Sequence, residues 1–246
     1  MILFSKRNVI VFLLVFSSYS FFVCDLNNYN TLSRIGLTVN LVQSARLDIG
    51  GFSKLTEDKA FFKGKYYSDK APGMSFLAVP VAYLLTRFAR VSPNVDLDDQ
   101  GPNRKRTTLL LLSYLCTVAT SGLLTALAAA ALFGFIEKKT ANWQAAAVGA
   151  ATCALATPTW GWATNFFGHA TAGALLIIGF VLVDKLANGM GKTRDGKAIA
   201  GLILAAGLAL GTAISVEFPR PFRSRLFSPT SQFSIFQSRP SPRRFS

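Results

Sequence analysis

The chain has 246 residues, of which 51% are hydrophobic and only 15% charged, with a formal net charge of +14. Its apolar residues come in blocks, several of them near the ~20 residues that a helix needs to cross a ~30 Å hydrocarbon core, which excludes an ordinary soluble domain. Nor does the positive charge mark a nucleic-acid partner: most basic residues flank the apolar blocks, where lysine and arginine anchor helices and set topology.

The expected fold is all-α, a polytopic transmembrane helical protein with about five spans and interfacial helices in a first outer loop. Residues 1–24 read as an N-terminal transmembrane anchor, with Lys6 and Arg7 ahead of an apolar run at 8–24. Residues 25–106 form the outer loop. Within it, 31–46 has Leu32, Ile35, Val39 and Val42 at helical spacing and Arg34, Thr38 and Gln43 on the other face, an amphipathic helix. Thr56-Glu57-Asp58-Lys59 is expected to start a second short helix. Residues 73–91 place Tyr83, Arg87 and Arg90 opposite Leu77, Val81, Leu84 and Phe88, a split that suits a helix lying in the interface.

A transmembrane bundle of four spans is expected over 107–218: 107–136, 143–162, 169–186 and 198–218, with a tight turn at 163–167 and a basic loop at 184–197. The positive-inside rule then puts Lys6, Arg7, Lys138, Lys139 and the 185–197 loop on the inner face. The N-terminus is cytoplasmic, the protein is multi-pass in the cell membrane, and Lys70 and His169 share the outer face. Residues 219–246 are built almost wholly from Arg, Ser, Pro and Phe. They read as an out-of-frame end, which would make the chain a fragment of a longer multi-span protein, or alternatively as a disordered basic tail. Of the three cysteines, Cys116 and Cys153 lie in apolar blocks and Cys24 closes the first; no Cys or His spacing suggests a metal.

The most unusual chemistry lies in Lys65-Tyr66-Tyr67-Ser68-Asp69-Lys70-Ala71-Pro72-Gly73. This stretch resembles part of a group of GT-C-type membrane proteins related to the protein mannosyltransferase and aminoarabinose transferase families. The resemblance covers roughly residues 30–218 and includes Asn30–Arg34, Thr157-Pro158-Thr159-Trp160, Phe166-Phe167-Gly168-His169 and the segment 211–218. In such enzymes a Lys-Pro-Pro turn follows the outer loop, and Lys70-Ala71-Pro72 matches it with one substitution. An acid followed shortly by arginine opens their loop; here Arg34 matches the arginine, while Asn30 and Thr31 stand where the acid would be.

The resemblance implies transfer of a sugar from a polyprenyl-phosphate donor to an acceptor at the outer membrane face, with membrane lipid and a lipid-linked sugar donor as partners. Breaking the anomeric bond calls for positive charge on the departing phosphate, which Lys70 and Arg34 could supply. An acceptor needs a general base; Asp58 and Asp48 are the leading candidates. Asp69 could bind substrate or pair with Lys70, and Tyr66 and Tyr67 could stack on a sugar or anchor at the interface. His169 could contact the donor or hydrogen-bond between helices. No cofactor is required, although a divalent metal bridging carboxylate and phosphate is compatible with these residues. The alternative is a non-catalytic multi-span protein, a scaffold or transporter-like; the uncharged stretch 107–135 argues against ion-coupled transport.

Overall fold

The computed structural model describes residues 5–88, 104–189 and 196–217. Arg90 and the 219–246 tail, both singled out above, lie outside them. Helices dominate: α1 (Lys6–Phe21), α2 (Tyr29–Ser44), α3 (Gly73–Phe88), α4 (Arg104–Thr117), α5 (Leu123–Thr140), α6 (Trp143–Leu155), α7 (Thr159–Ala163), α8 (Gly168–Gly189) and α9 (Gly196–Val216). Among the described residues, three helical stretches, Thr108–Thr140, Gly168–Asn188 and Gly196–Val216, are long and apolar enough to cross a membrane. The first is α4 and α5 joined through a π-helical turn at Val118–Gly122.

Small residues let the bundle helices approach closely. Ala126, Ala129 and Ala130 of α5 are buried against α1 and α6, together with Ala146, Ala150 and Ala154 of α6. Tyr19 of α1 is buried among them and donates its hydroxyl to the Ala154 carbonyl at 2.8 Å. At 16 and 13 residues, α1 and α6 are about 24 and 20 Å long and run beside the longer helices. The span expected over 143–162 is broken early. Pro158 disfavours helical geometry at Thr157, whose hydroxyl turns back onto the Cys153 carbonyl, and the chain restarts as the short α7.

The bundle has two chemically different ends. At one, Arg7 pairs with Glu137 at 2.6 Å and Lys139 with Asp184 at 2.7 Å, gathering the start of α1 with the ends of α5 and α8. At the other, the Cys24 amide bonds the Thr164 carbonyl, and the region preceding α3 packs over the ends of α8 and α9. The α4–α5 helix of 33 residues is about 50 Å long. That exceeds a hydrocarbon core, and its first turns (Leu109, Leu112, Cys116) share one apolar cluster with Leu32, Ile35 and Val39 of α2 and Met74, Ala78 and Ala82 of α3.

Three expectations for the outer loop need correction. Residues 56–59 do not start a helix. They lead into an antiparallel hairpin, β1 (Lys59–Phe62) and β2 (Lys65–Ser68), with Phe61 opposite Tyr66 and Lys59 opposite Ser68. Its two-residue turn is Lys63-Gly64, both at positive φ (47° and 78°), the geometry that matches strand twist. Next, α2 is not a surface helix: Thr31 through Val39 are all buried, Arg34 and Thr38 included, and exposure is confined to its two ends, at Tyr29, Gln43 and Ser44. The 3₁₀ turn Gly50–Lys54, α3 and the ends of the bundle enclose it. Finally, α3 buries a small-residue face of Gly73, Met74, Ser75, Ala78 and Ala82, and exposes Phe76, Tyr83, Leu84, Arg87 and Phe88. Tyr83 and Arg87 therefore share the exposed side with Leu84 and Phe88 instead of opposing them.

Gly73 fixes where α3 meets the bundle. A β-carbon there would lie 2.5 Å from the backbone of Ser215 in α9, a contact neither chain can relieve without moving. Gly73→Val is expected to push α3 off α9 and cost about 1–3 kcal/mol, in the range of overpacking a close contact. Thermal unfolding in detergent should show a lowered Tm; an unchanged Tm would mean that α3 does not seat on α9.

Candidate functional site

The loop that carries the candidate residues is ordered by local polar contacts. Asn28 caps α2 through the Thr31 amide, and Ala45 ends it in the left-handed conformation (φ 51°). Asp48 then closes the turn. Its carboxylate takes two bonds from Arg46 (2.6 and 2.9 Å) and one from the Gly50 amide (3.1 Å), and Asn40 spans its backbone and side chain. The Arg46 hydrogen bond, foremost, holds the Asp48 carboxyl below the usual carboxylate range despite its burial. A general base works best with a pKa near the operating pH. Asp48, buried and partnered by Arg46, Asn40 and Gly50, pins this turn.

Asp58 lies elsewhere. Thr56 donates to the Tyr29 carbonyl and receives the Asp58 amide, fixing the approach to the hairpin, and the Ser33 hydroxyl of α2 meets both the Asp58 carbonyl (2.6 Å) and the Ser68 hydroxyl (2.7 Å). These contacts bring Asp58 beside the end of β2. There the Lys70 ammonium sits 3.2 Å from Asp58 Oδ2 and 3.2 Å from Asp69 Oδ1. All three side chains are partly exposed, Lys70 the least.

Directly beneath is Arg34. It is 2% exposed, and its guanidinium bonds Asn30 Oδ1 (2.8 Å), the Phe166 carbonyl (3.2 Å) and Glu217 Oε1 (3.1 Å). Burial lowers its pKa; Glu217 first, then Asp58 and Asp69, work against that shift and favour the charged form. The two acids near Lys70 and the buried arginine thus belong to one electrostatic cluster. The Ser75 hydroxyl of α3 donates to the Arg34 carbonyl, as does Thr38, so α2 and α3 are locked at this residue.

His169 joins from α8. Its ring is 3.6 Å from Glu217 Oε1 and 5.2 Å from the Trp162 ring, and its side chain is half exposed. Gly168 makes room for this: a β-carbon there would run into the Glu217 carboxylate and the Val216 carbonyl.

The cluster therefore unites Asp58, Asp69, Lys70, Arg34 and His169, and leaves out Asp48, Tyr66 and Tyr67. Tyr66 packs at a tilt against Phe61 across the hairpin, with ring centroids 5.0 Å apart, under the Lys59 ammonium, and Tyr67 lies on the opposite face near Arg46. Two members went unforeseen. Asn30 is one turn before Arg34, a legible spacing. Glu217 is 183 positions away from Arg34 and accepts a hydrogen bond from its guanidinium. Among the described residues, no group of three or more His, Cys, Asp or Glu gathers in a way that could hold a metal ion. No protein-family model matches the chain, and comparisons with curated proteins and with solved structures give no match.

Removing one partner of a buried ion pair leaves the other uncompensated, while removing both need not. Glu217→Gln should therefore lower Tm, costing about 1–3 kcal/mol because Glu217 itself is partly solvated. Arg34→Met combined with Glu217→Gln should recover part of that loss. A double variant as unstable as the sum of the singles would show that the two groups are not coupled.

Proposed function

We propose that the protein is an integral membrane glycosyltransferase that moves a sugar from a polyprenyl-phosphate donor to an acceptor at the membrane face bearing Lys70. The observation that carries this reading is the convergence of Lys70, Asp58 and Asp69 with the buried Arg34 at one end of an apolar bundle. Beside them α3 leaves Phe76, Tyr83, Leu84 and Phe88 exposed, an apolar flank suited to the interface and to a lipid chain. In the membrane, α1, α4 with α5, α8 and α9 are four crossings, and the broken segment of α6 and α7 together makes the fifth. The positive-inside rule puts the end with Lys6, Arg7, Lys138 and Lys139 in the cytoplasm and the Lys70 cluster outside, in the cell membrane.

The residues divide the work by charge. Donor phosphate displaces the exposed Asp69 from Lys70, whose ammonium then neutralises the charge that builds on the leaving phosphate. The acceptor oxygen bonds the anomeric carbon as the bond from that carbon to the phosphate oxygen breaks. The phosphate leaves with the electron pair, and the acceptor proton passes to Asp58. Arg34 does not reach substrate. It is a positioning residue that holds α2, α8 and α9 together under the site and keeps positive charge beneath it. His169, half exposed beside Trp162, lies at the rim on the sugar side.

A second reading, a non-catalytic membrane scaffold, is favoured by one observation: Arg34, Lys70 and Asp58 all have protein partners and could serve only to dock the loop. The two readings part in one assay. In proteoliposomes supplied with polyprenyl-phosphate sugars, Lys70→Ala should reduce transfer by about 10²–10³-fold and Asp58→Asn by about 10²–10⁴-fold. Asp48→Asn should lower Tm yet leave transfer per folded molecule unchanged. Wild-type rates in Lys70→Ala and Asp58→Asn would remove this site, and an inert wild type would favour the scaffold.

A further inference from the structure

At the end of the bundle opposite Lys70, α1, α5 and α8 enclose a cavity of about 330 Å³. Its lining is part apolar, with Ala131, Phe135 and Val181, part neutral polar, with Ser5 and Asn8, and part charged, with Glu137 and Lys138 from α5 and Asp184 and Lys185 from α8. The charges do not cancel within the cavity. Glu137 is neutralised by Arg7 at 2.6 Å, and Asp184 by Lys139 at 2.7 Å, two cations that do not line the space. Among the described residues neither Lys138 nor Lys185 belongs to an ion pair, so of the two acids and two lysines in the lining the acids are matched from outside the cavity and the lysines are not. These two ammonium groups share the lining with Ala131, Phe135 and Val181.

We propose that this cavity binds the phosphate-bearing headgroup of an anionic phospholipid, with Lys138 and Lys185 on the phosphate and the apolar wall against the start of the chains. The chemistry is that of a membrane-surface anion: two ammonium groups from different helices at the depth where α5 and α8 leave the apolar zone. A soluble phosphate ester would share the charge but would gain nothing from the Ala131 and Val181 wall. Bound there, the lipid would bridge α5 and α8 beside the Arg7–Glu137 and Lys139–Asp184 pairs and add to the links that hold this end of the bundle. The proposal rests on the bundle being in a membrane and is independent of sugar transfer.

The test is native mass spectrometry of the full chain released from nanodiscs made of equal parts phosphatidylglycerol and phosphatidylcholine. The wild type should retain phosphatidylglycerol preferentially. Lys138→Ala and Lys185→Ala should each cut that retention about fivefold, and the pair about 25-fold, from the attraction of one lysine near an anionic headgroup. Lys63→Ala, in the hairpin turn at the opposite end, should change nothing. Glycerol 1-phosphate, offered to lipid-free protein in detergent, should not be retained. Equal retention of both lipids, or retention indifferent to both lysines, overturns the proposal, and retention of glycerol 1-phosphate through these lysines reassigns the cavity to a soluble ester. Extraction of the variants from alkali-washed membranes separates this failure from failure of the membrane reading: protein still embedded but without bound lipid counts against the cavity alone.

Discussion

The ion pair between Arg34 and Glu217 is the constraint on which the Lys70 end of the molecule depends. A guanidinium withdrawn from water is costly unless its charge is met, and here the charge and the two terminal nitrogens are met by groups from three regions: Asn30 one turn back, the Phe166 carbonyl before α8, and Glu217 beyond α9, while Nε has no hydrogen-bond partner among the described residues. The site can form only when α2, α8 and α9 reach the same point. Close packing follows from that meeting, since Gly73 abuts Ser215 and Gly168 abuts Glu217 with no room for a side chain. The hairpin and the Asp48 turn are then built outward from a fixed base.

The same constraint explains how charge is distributed over the cluster. Arg34 and Lys70 contribute two positive charges, and Asp58, Asp69 and Glu217 contribute three negative ones, close to balance before His169 is counted. Such a cluster holds the loop in place and can still exchange partners at its rim, because Asp69 is exposed whereas Arg34 is sealed. Structural charge lies below and exchangeable charge above. That layering suits a site that takes up an anionic group from the membrane face, and it assigns different tasks to two basic residues that the sequence presents as equals.

Much of the fold was legible because membrane helices announce themselves by length and apolarity, and the long apolar stretches at 108–140, 168–188 and 196–216 follow the sequence closely. The hairpin was missed although its signals were present: Phe61-Phe62 and Tyr66-Tyr67 are strand-forming pairs flanking a glycine. Thr56-Glu57-Asp58-Lys59 has helix-forming composition, and local propensity lost to the pairing of the two aromatic strands. For α2 the periodicity was read correctly as helical, yet its polar face was assigned to water. Arg34 and Thr38 face other protein, which no single-helix pattern can reveal. Within the site, Lys70 with Asp58 and Asp69 was accessible as a set of charged residues in one loop. Glu217 was not, because it arrives from the far end of the chain. Asp48 and Asp58 look alike in sequence, and it is burial with the contacts of Arg46, Asn40 and Gly50 that separates the structural carboxylate from the accessible one.

The claim on which the account stands is that a lipid-linked phosphate is taken up beside Lys70. Photolabelling of the reconstituted full chain with a polyprenyl phosphate carrying a photoreactive group on its first isoprene unit, followed by peptide mapping, tests it most directly. The account predicts adducts in residues 58–76 and around Trp162 and His169, suppressed by excess unlabelled polyprenyl phosphate. Adducts confined to other parts of the bundle, or labelling that the competitor does not reduce, would contradict it.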